Sequence, residues 1–327
     1  MAKSRLLIAL CWALSVAGCR GCLDGGLRVQ GPPGYMRCLA ADPPEAGTRS
    51  VGAVKLHIEG RRLRIEGIEP PLRVAAFAGP AFGPPPDVDT LKVLAELKPH
   101  LQVVIGGVGD TPRQAAKLLG ALSTLPAPTL LLSGGRDSTE RIQSARASLG
   151  EAAARIVDVS ALRRVDVAGH VFVPVAGASG GHYAHSDDAC GHGLDDLKQL
   201  ASDLGEAEGE SRWLLSWQAP GQGGSQAVAR TEDGQDLGSA DLAELARRIG
   251  APGGLFAWPE VRVLRPAVGD GEREVRDDSA ARDLRLVVPR LGGVAVGRSD
   301  GTRAMPGFVL LELAEGAMRV LGVHEEV

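Results

Sequence analysis

The sequence predicts a single α/β body, and three observations predict it. Leu101–Asp137 reads as an apolar run ending in Gly106 and Gly107, a helix, and a second apolar run ending in Gly134 and Gly135, the signature of a strand–helix–strand unit. Val54–Ile58 and Leu63–Ile65 alternate apolar and polar residues around Glu59-Gly60-Arg61-Arg62, which makes a hairpin with one apolar face. Later apolar runs each stop at a polar loop. The glycine-rich strand ends are therefore where chemistry is to be sought.

Composition narrows the classes. A chain of 327 residues can bury one large core or two ordinary ones. A net charge of −4 and the lack of a long basic run argue against a nucleic-acid partner. With 44 glycines, 21 prolines and 3% aromatic residues, the body is loop-rich and packed with alanine and valine. Five cysteines are too few for a disulfide scaffold.

The first residues carry an address. Lys3 and Arg5 precede an apolar run too short for a comfortable transmembrane helix, and Cys19 follows it. Val16-Ala17-Gly18-Cys19 resembles the bacterial lipobox, in which the cysteine is diacylated and becomes the first mature residue. Arg20 stands where an inner-membrane retention aspartate would sit, so the expected location is the outer membrane, through a lipid anchor. The expected division is a signal peptide over 1–18, a Gly/Pro-rich tether over 19–50 and one domain over 51–327. An oxidising periplasm permits a Cys22–Cys38 disulfide or, alternatively, Cys38–Cys190.

Within the body, Leu72–Phe77 is apolar on both faces, as a central covered strand requires. Asp87 or Asp89 caps a helix running toward Pro99, with Leu91, Leu94 and Leu97 on one face. Thr111 caps the next, with Pro112 at its first position. Ser138 or Thr139 opens a third, and Leu194–Leu204 and Asp241–Ile249 are two more. Short strands are expected at 156–159, 165–167, 170–175, 213–216, 254–258, 284–288, 307–313 and 318–323. Residues 176–193 are expected as a loop and 269–283 as a solvated charged excursion.

This order of elements resembles the calcineurin-like metallophosphoesterase family over roughly residues 50–325. The resemblance implies a two-sheet β-sandwich flanked by helices. It also implies loop motifs D-x-H, G-D, G-N-H-D, a lone His and G-H-x-H that hold two metals. Here the D-x-H positions fall on Ala78, Gly79 and Pro80, and the G-D positions on Gly106 and Gly107. The G-N-H-D positions fall on Gly134, Gly135, Arg136 and Asp137. The lone His falls on Trp217 or Gln218, and G-H-x-H on Ala257, Trp258, Pro259 and Glu260. Glycine, alanine and proline side chains cannot bind a metal, and a guanidinium repels cations. A register slip would recover only Asp110. The resemblance thus implies a degenerate site with no cofactor and a binding or structural role. The alternative is a hydrolase with a rebuilt site and a divalent metal (Mn, Fe or Zn), using Asp110, Asp137, Glu260 or a histidine loop.

That loop contains His182, His185, Cys190 and His192, whose spacing matches no standard zinc pattern. It is read as a polar loop lining a cleft, and as the place to look if a metal binds. Ser133, Ser179 and Ser216 lack a G-x-S-x-G elbow and are read as strand terminators. Trp217 and Trp258 are read as filling volume left by absent metals and histidines. Nothing in the sequence names a protein or small-molecule partner.

Overall fold

Four layers stack in the order helices, sheet, sheet, helices, and side-chain alternation along the strands sets that order. The computed structural model describes residues 36–81, 83–179, 186–205, 209–221, 228–229, 236–258, 267–268, 273–274, 280–297 and 303–326. The chain enters through β1 (Met36–Arg37), then β2 (Gly47–Val51), β3 (Val54–Glu59) and β4 (Arg62–Glu66). β5 (Leu72–Phe77) leads to helix α1 (Val88–Glu96), where the Asp87 side chain accepts from the Thr90 amide. β6 (Leu101–Ile105), α2 (Pro112–Ser123) and β7 (Thr129–Leu132) form the expected strand–helix–strand unit. Thr111 and Gln114 close a reciprocal capping box at the start of α2.

α3 (Thr139–Ser148), capped by Ser138, runs through a 3-10 turn into β8 (Ile156–Asp158). β9 (Arg164–Val167) and β10 (His170–Val175) form a hairpin. β11 (Ala178–Ser179) and β12 (Cys190–His192) precede α4 (Leu194–Leu204). β13 (Ser211–Gln218), α5 (Ala240–Arg248) and β14 (Gly253–Trp258) follow. The chain finishes with β15 (Ala267–Val268), β16 (Arg273–Glu274), β17 (Leu284–Val287), β18 (Val296–Gly297) and β19 (Arg303–Ala304). The long hairpin β20 (Gly307–Ala314) and β21 (Ala317–Glu325) comes last. Among the described residues, no helix is long and apolar enough to cross a membrane.

The described strands form a 10-stranded sheet, β16-β15-β17-β14-β13-β10-β9-β4-β3-β2, and a 6-stranded sheet, β21-β20-β5-β6-β7-β8. Smaller sheets are β1-β12-β11 and β18-β19. β5, β6 and β7 pair in parallel, so their C-terminal ends share one side of the molecule. β10, β13 and β14 do the same in the larger sheet. Ligands in open α/β sheets gather at such carboxyl ends.

Alternation divides the core. Along β6, Leu101, Val103 and Ile105 face the space between the sheets, with Trp213, Leu215 and Trp217 of β13. Val104 faces the other way, onto Leu118, Leu119 and Leu122 of α2 and Ile142 of α3. Leu214 and Phe256 face Leu197 and Leu200 of α4 and Leu242 and Leu245 of α5. Each sheet is therefore apolar on both faces, which explains why its central strands read as nearly unbroken apolar runs.

The N-terminal side departs from the tether expected over 19–50. Residues 47–51 are β2, an edge strand of the large sheet, and residues 36–42 lie fastened to the body. β1 pairs in parallel with β12, and Arg37 bonds Asp196. Arg61 donates to the carbonyls of Leu39 (3.1 Å), Ala41 (2.6 Å) and Ala161 (3.2 Å). The disulfide joins Cys38 to Cys190, with Cα atoms 5.4 Å apart, which replaces the Cys22–Cys38 pairing. Cys22 lies outside the described residues, as do Cys19 and the signal segment. The physical reason is the register of β1 on β12, which sets Met36 opposite Cys190 and brings Cys38 alongside. Residues 176–193, expected as loop, supply β11 and β12 to this small sheet.

A bridge spanning 152 residues restricts the unfolded chain strongly. Cys190→Ser lowers stability by about 2–4 kcal/mol, read as a drop in Tm, and non-reducing peptide mapping recovers Cys38 linked to Cys190. A Cys22–Cys38 peptide would contradict the structure.

Candidate functional site

The ends of β5, β6 and β7 meet backbone to backbone. The Gly106 amide donates to the Leu132 carbonyl (2.8 Å), and the Gly79 amide to the Gly106 carbonyl (2.8 Å). A Cβ on Gly79 would lie 2.2 Å from the Gly107 oxygen, so the two loops approach more closely than a side chain allows. Gly106 and Gly107 turn the chain with φ of +65° and +70°, a conformation that L side chains rarely adopt.

Asp137 holds this corner. Its Oδ2 accepts from the amides of Gly107 (3.0 Å) and Gly134 (2.7 Å), and its Oδ1 from Val108 (2.9 Å). The residue is 2% exposed. A buried carboxylate requires such partners, and charge-assisted bonds are stronger than neutral ones. One side chain thus ties the loop after β6 to the loop after β7.

Trp217 fills the space between them. It closes the inward row Trp213, Leu215, Trp217 of β13 and is itself 2% exposed. A Cβ on Gly106 or Gly134 would lie 2.6 Å or 2.5 Å from the indole Cδ1, so both glycines are required by the ring. The tryptophan of one sheet plugs the strand ends of the other.

The other expected positions have surroundings of their own. Ala78 and Pro80 are buried, and Ala78 exchanges backbone bonds with Pro289 and Leu291, the segment that follows β17 (2.7 Å each). Gly107 and Gly135 are buried, while Arg136 and Asp110 are half-buried. The Asp110 amide donates to Gln114 Oε1 (3.2 Å). Gln218 Oε1 accepts from the Ser179 amide (3.2 Å) and hydroxyl (3.0 Å), which points it away from the plug and toward β11. Trp258 pairs with Gln218 through the β13–β14 ladder. Glu260, His182 and His185 lie outside the described residues.

Cys190, a candidate metal ligand, is in the disulfide and offers no thiolate. His192 is fully buried; its Nδ1 donates to the Ala176 carbonyl (3.1 Å), and its Nε2 has no hydrogen-bond partner among the described residues. Burial holds its pKa below the ordinary histidine value.

These residues do not fit a dinuclear metal centre. Ala78, Pro80, Gly107, Gly135 and Trp217 bring no donor, and both oxygens of Asp137 are engaged by backbone amides. Among the described residues, no group of three or more His, Cys, Asp or Glu side chains is placed to hold a metal. Sequence reading took the glycines as lost ligands and missed their present duty, close backbone packing beneath Trp217. It also missed Ser160, whose Oγ accepts from the Ser133 amide (2.9 Å) and bonds the Ser133 hydroxyl (3.0 Å). No periodicity in the sequence marks such a pair.

No family model matches this chain, and no curated protein matches it. Among solved structures, one crystal structure aligns with a TM-score of 0.52 at 13% identity, covering 76% of this chain and 98% of its own. The crystal structure of TT1561 of Thermus thermophilus aligns at 14% identity with a TM-score of 0.49, covering 76% of this chain and 98% of its own. The first alignment shows the fold: mixed α/β, two sheets flanked by helices.

Two outcomes follow. Gly134→Ala destabilises by about 1–3 kcal/mol through overpacking against the indole, and this cost shrinks in a Trp217→Ala background. Denaturant titration of the double-mutant cycle measures it; an unchanged cost would refute the contact. Separately, burial holds His100, His170, His192 and His324 below their ordinary value. Each takes up a proton on unfolding, so stability falls as pH drops below about 6.5. Calorimetry between pH 7 and 5 should show Tm declining; a rise over that window would refute the assignment.

Proposed function

We propose that this chain is a bacterial outer-membrane lipoprotein whose body has a metallophosphoesterase-like fold and acts as a binding or structural module, without metal-dependent hydrolysis. The observation that supports it is the plug. Trp217 sits against Gly106 and Gly134 where the resemblance expects metals, and Asp137 fastens backbone amides. The loops after β5, β6 and β7 carry Ala78, Pro80, Gly107 and Gly135 where the resemblance would need metal donors. Fold analogy alone is a weak warrant for activity, so the weight rests on these side chains.

Lipid modification at Cys19 holds the body at a membrane surface, where the acyl chains and not the mild negative charge supply the anchoring. In a bacterial host, Cys19→Ala abolishes palmitate labelling and moves the protein out of the outer-membrane fraction. Retained labelling would refute the lipobox reading. Turnover of phosphomonoesters and phosphodiesters with added manganese stays at background for the purified protein. Turnover that Asp137→Ala abolishes would establish the rebuilt hydrolase instead.

A further inference from the structure

The two halves of the Cys38–Cys190 bridge are held in different ways. Cys190 is built into the body. Its strand β12 pairs with β11, and a Cβ on Gly177 would lie 1.9 Å from the Cys190 oxygen, so the backbones are tightly packed there. Two residues earlier, Asp188 Oδ2 accepts from the Ser138 hydroxyl (2.6 Å) and the Glu140 amide (2.9 Å). The Asp188 carbonyl accepts from the Thr139 hydroxyl (2.7 Å), which ties this strand to the start of α3.

Cys38 belongs to a short segment that lies on the surface of that body. β1 pairs with β12 over two residues, Met36 opposite Cys190 and Arg37 opposite Gly191. Arg61 and Arg163 donate to the Leu39 carbonyl and Arg61 to that of Ala41, and the Leu39 side chain is buried. The Arg37 side chain is 57% exposed, so its ion pair with Asp196 adds little. Segments held by few contacts open locally while the rest of a protein stays folded. Among these holds only the bridge is covalent, and it is the one that a change in redox conditions removes.

We propose that Cys38–Cys190 is a reducible clasp: a dithiol opens it and frees residues 36–42 while the sandwich stays folded. Both cysteines line a cavity of about 370 Å³ bordered by Met36, Ala41, Asp42 and Pro44, and a small dithiol approaches from that side. One thiolate of the dithiol attacks Sγ of Cys38, the more exposed of the two cysteines. The S–S bond breaks, and Cys190 leaves as a thiolate that takes up a proton. The second thiol of the dithiol then closes on the mixed disulfide and releases Cys38 as a thiol. Two electrons pass to the protein, and the dithiol leaves as a disulfide. With β1 gone, β12 becomes a free strand edge, and Leu39 leaves the apolar cluster that holds Leu197 and Leu200. The clasp rests on neither the lipobox nor the Trp217 plug, so it stands whether or not those readings hold.

Hydrogen exchange of the detergent-purified full chain, with and without dithiothreitol, tests this and needs no variant to fold. Reduction speeds exchange at residues 36–42 at least tenfold, while tryptophan emission, which reports the buried Trp213 and Trp217, does not change. Replacing dithiothreitol with oxidised glutathione restores the slow exchange. Cys38→Ser shows the fast exchange without reductant, and dithiothreitol adds nothing to it there. Peptide mapping that finds the bridge intact after dithiothreitol, unchanged exchange at residues 36–42, or failure of the oxidant to restore it would each overturn the proposal. A red shift of tryptophan emission on reduction would overturn it equally, because the bridge would then be a staple of the whole fold.

Discussion

The carboxylate of Asp137 is the constraint on which the strand-end geometry depends. Three backbone amides from two loops converge on it, and removing it leaves three buried N–H groups without an acceptor. Because those amides belong to the ends of β6 and β7, the carboxylate fixes how closely the two loops approach. That approach leaves a slot bounded by Gly106 and Gly134, and Trp217 from the opposite sheet occupies it. The sheets are thus locked together at their carboxyl ends by one charged and one aromatic side chain.

This lock alters what the glycines mean. In an enzyme of this outline, strand-end loops present ligands into a cleft. Here Gly79, Gly106, Gly107 and Gly134 bring backbone to backbone or backbone to indole at distances that exclude a Cβ. A glycine in such a place is a packing element. The same positions cannot both hold a side-chain ligand and allow the approach that buries Trp217. The close approach of these glycines and the burial of Trp217 are two descriptions of one packing arrangement.

Much of the fold was legible because periodicity and caps report it locally. The Thr111–Pro112 start, the Asp87 and Ser138 caps and the doubly apolar run of β5 each stand in the sequence as they do in the structure. Long-range pairing was not legible. Nothing local marks Cys38 as the partner of Cys190 across 152 residues, because the parallel pairing of β1 with β12 is a tertiary choice. The attachment of residues 36–42 to the body was illegible for the same reason: they have no periodicity of their own and are held by Arg61, Arg37 and the disulfide. At the site, residue types showed which donors were missing, but only the fold shows that Asp137 turns inward and that Trp217 fills the remaining volume.

The central claim is that Trp217 and the backbone fill the strand-end corner where the proposed resemblance would put two metals. Anomalous diffraction from crystals soaked in manganese tests it most directly. The account predicts no anomalous peak among Ala78, Gly107, Gly135 and Trp217, with the indole seated against Gly106 and Gly134. A pair of peaks about 3.5–4 Å apart at that point, with Trp217 displaced, would contradict it.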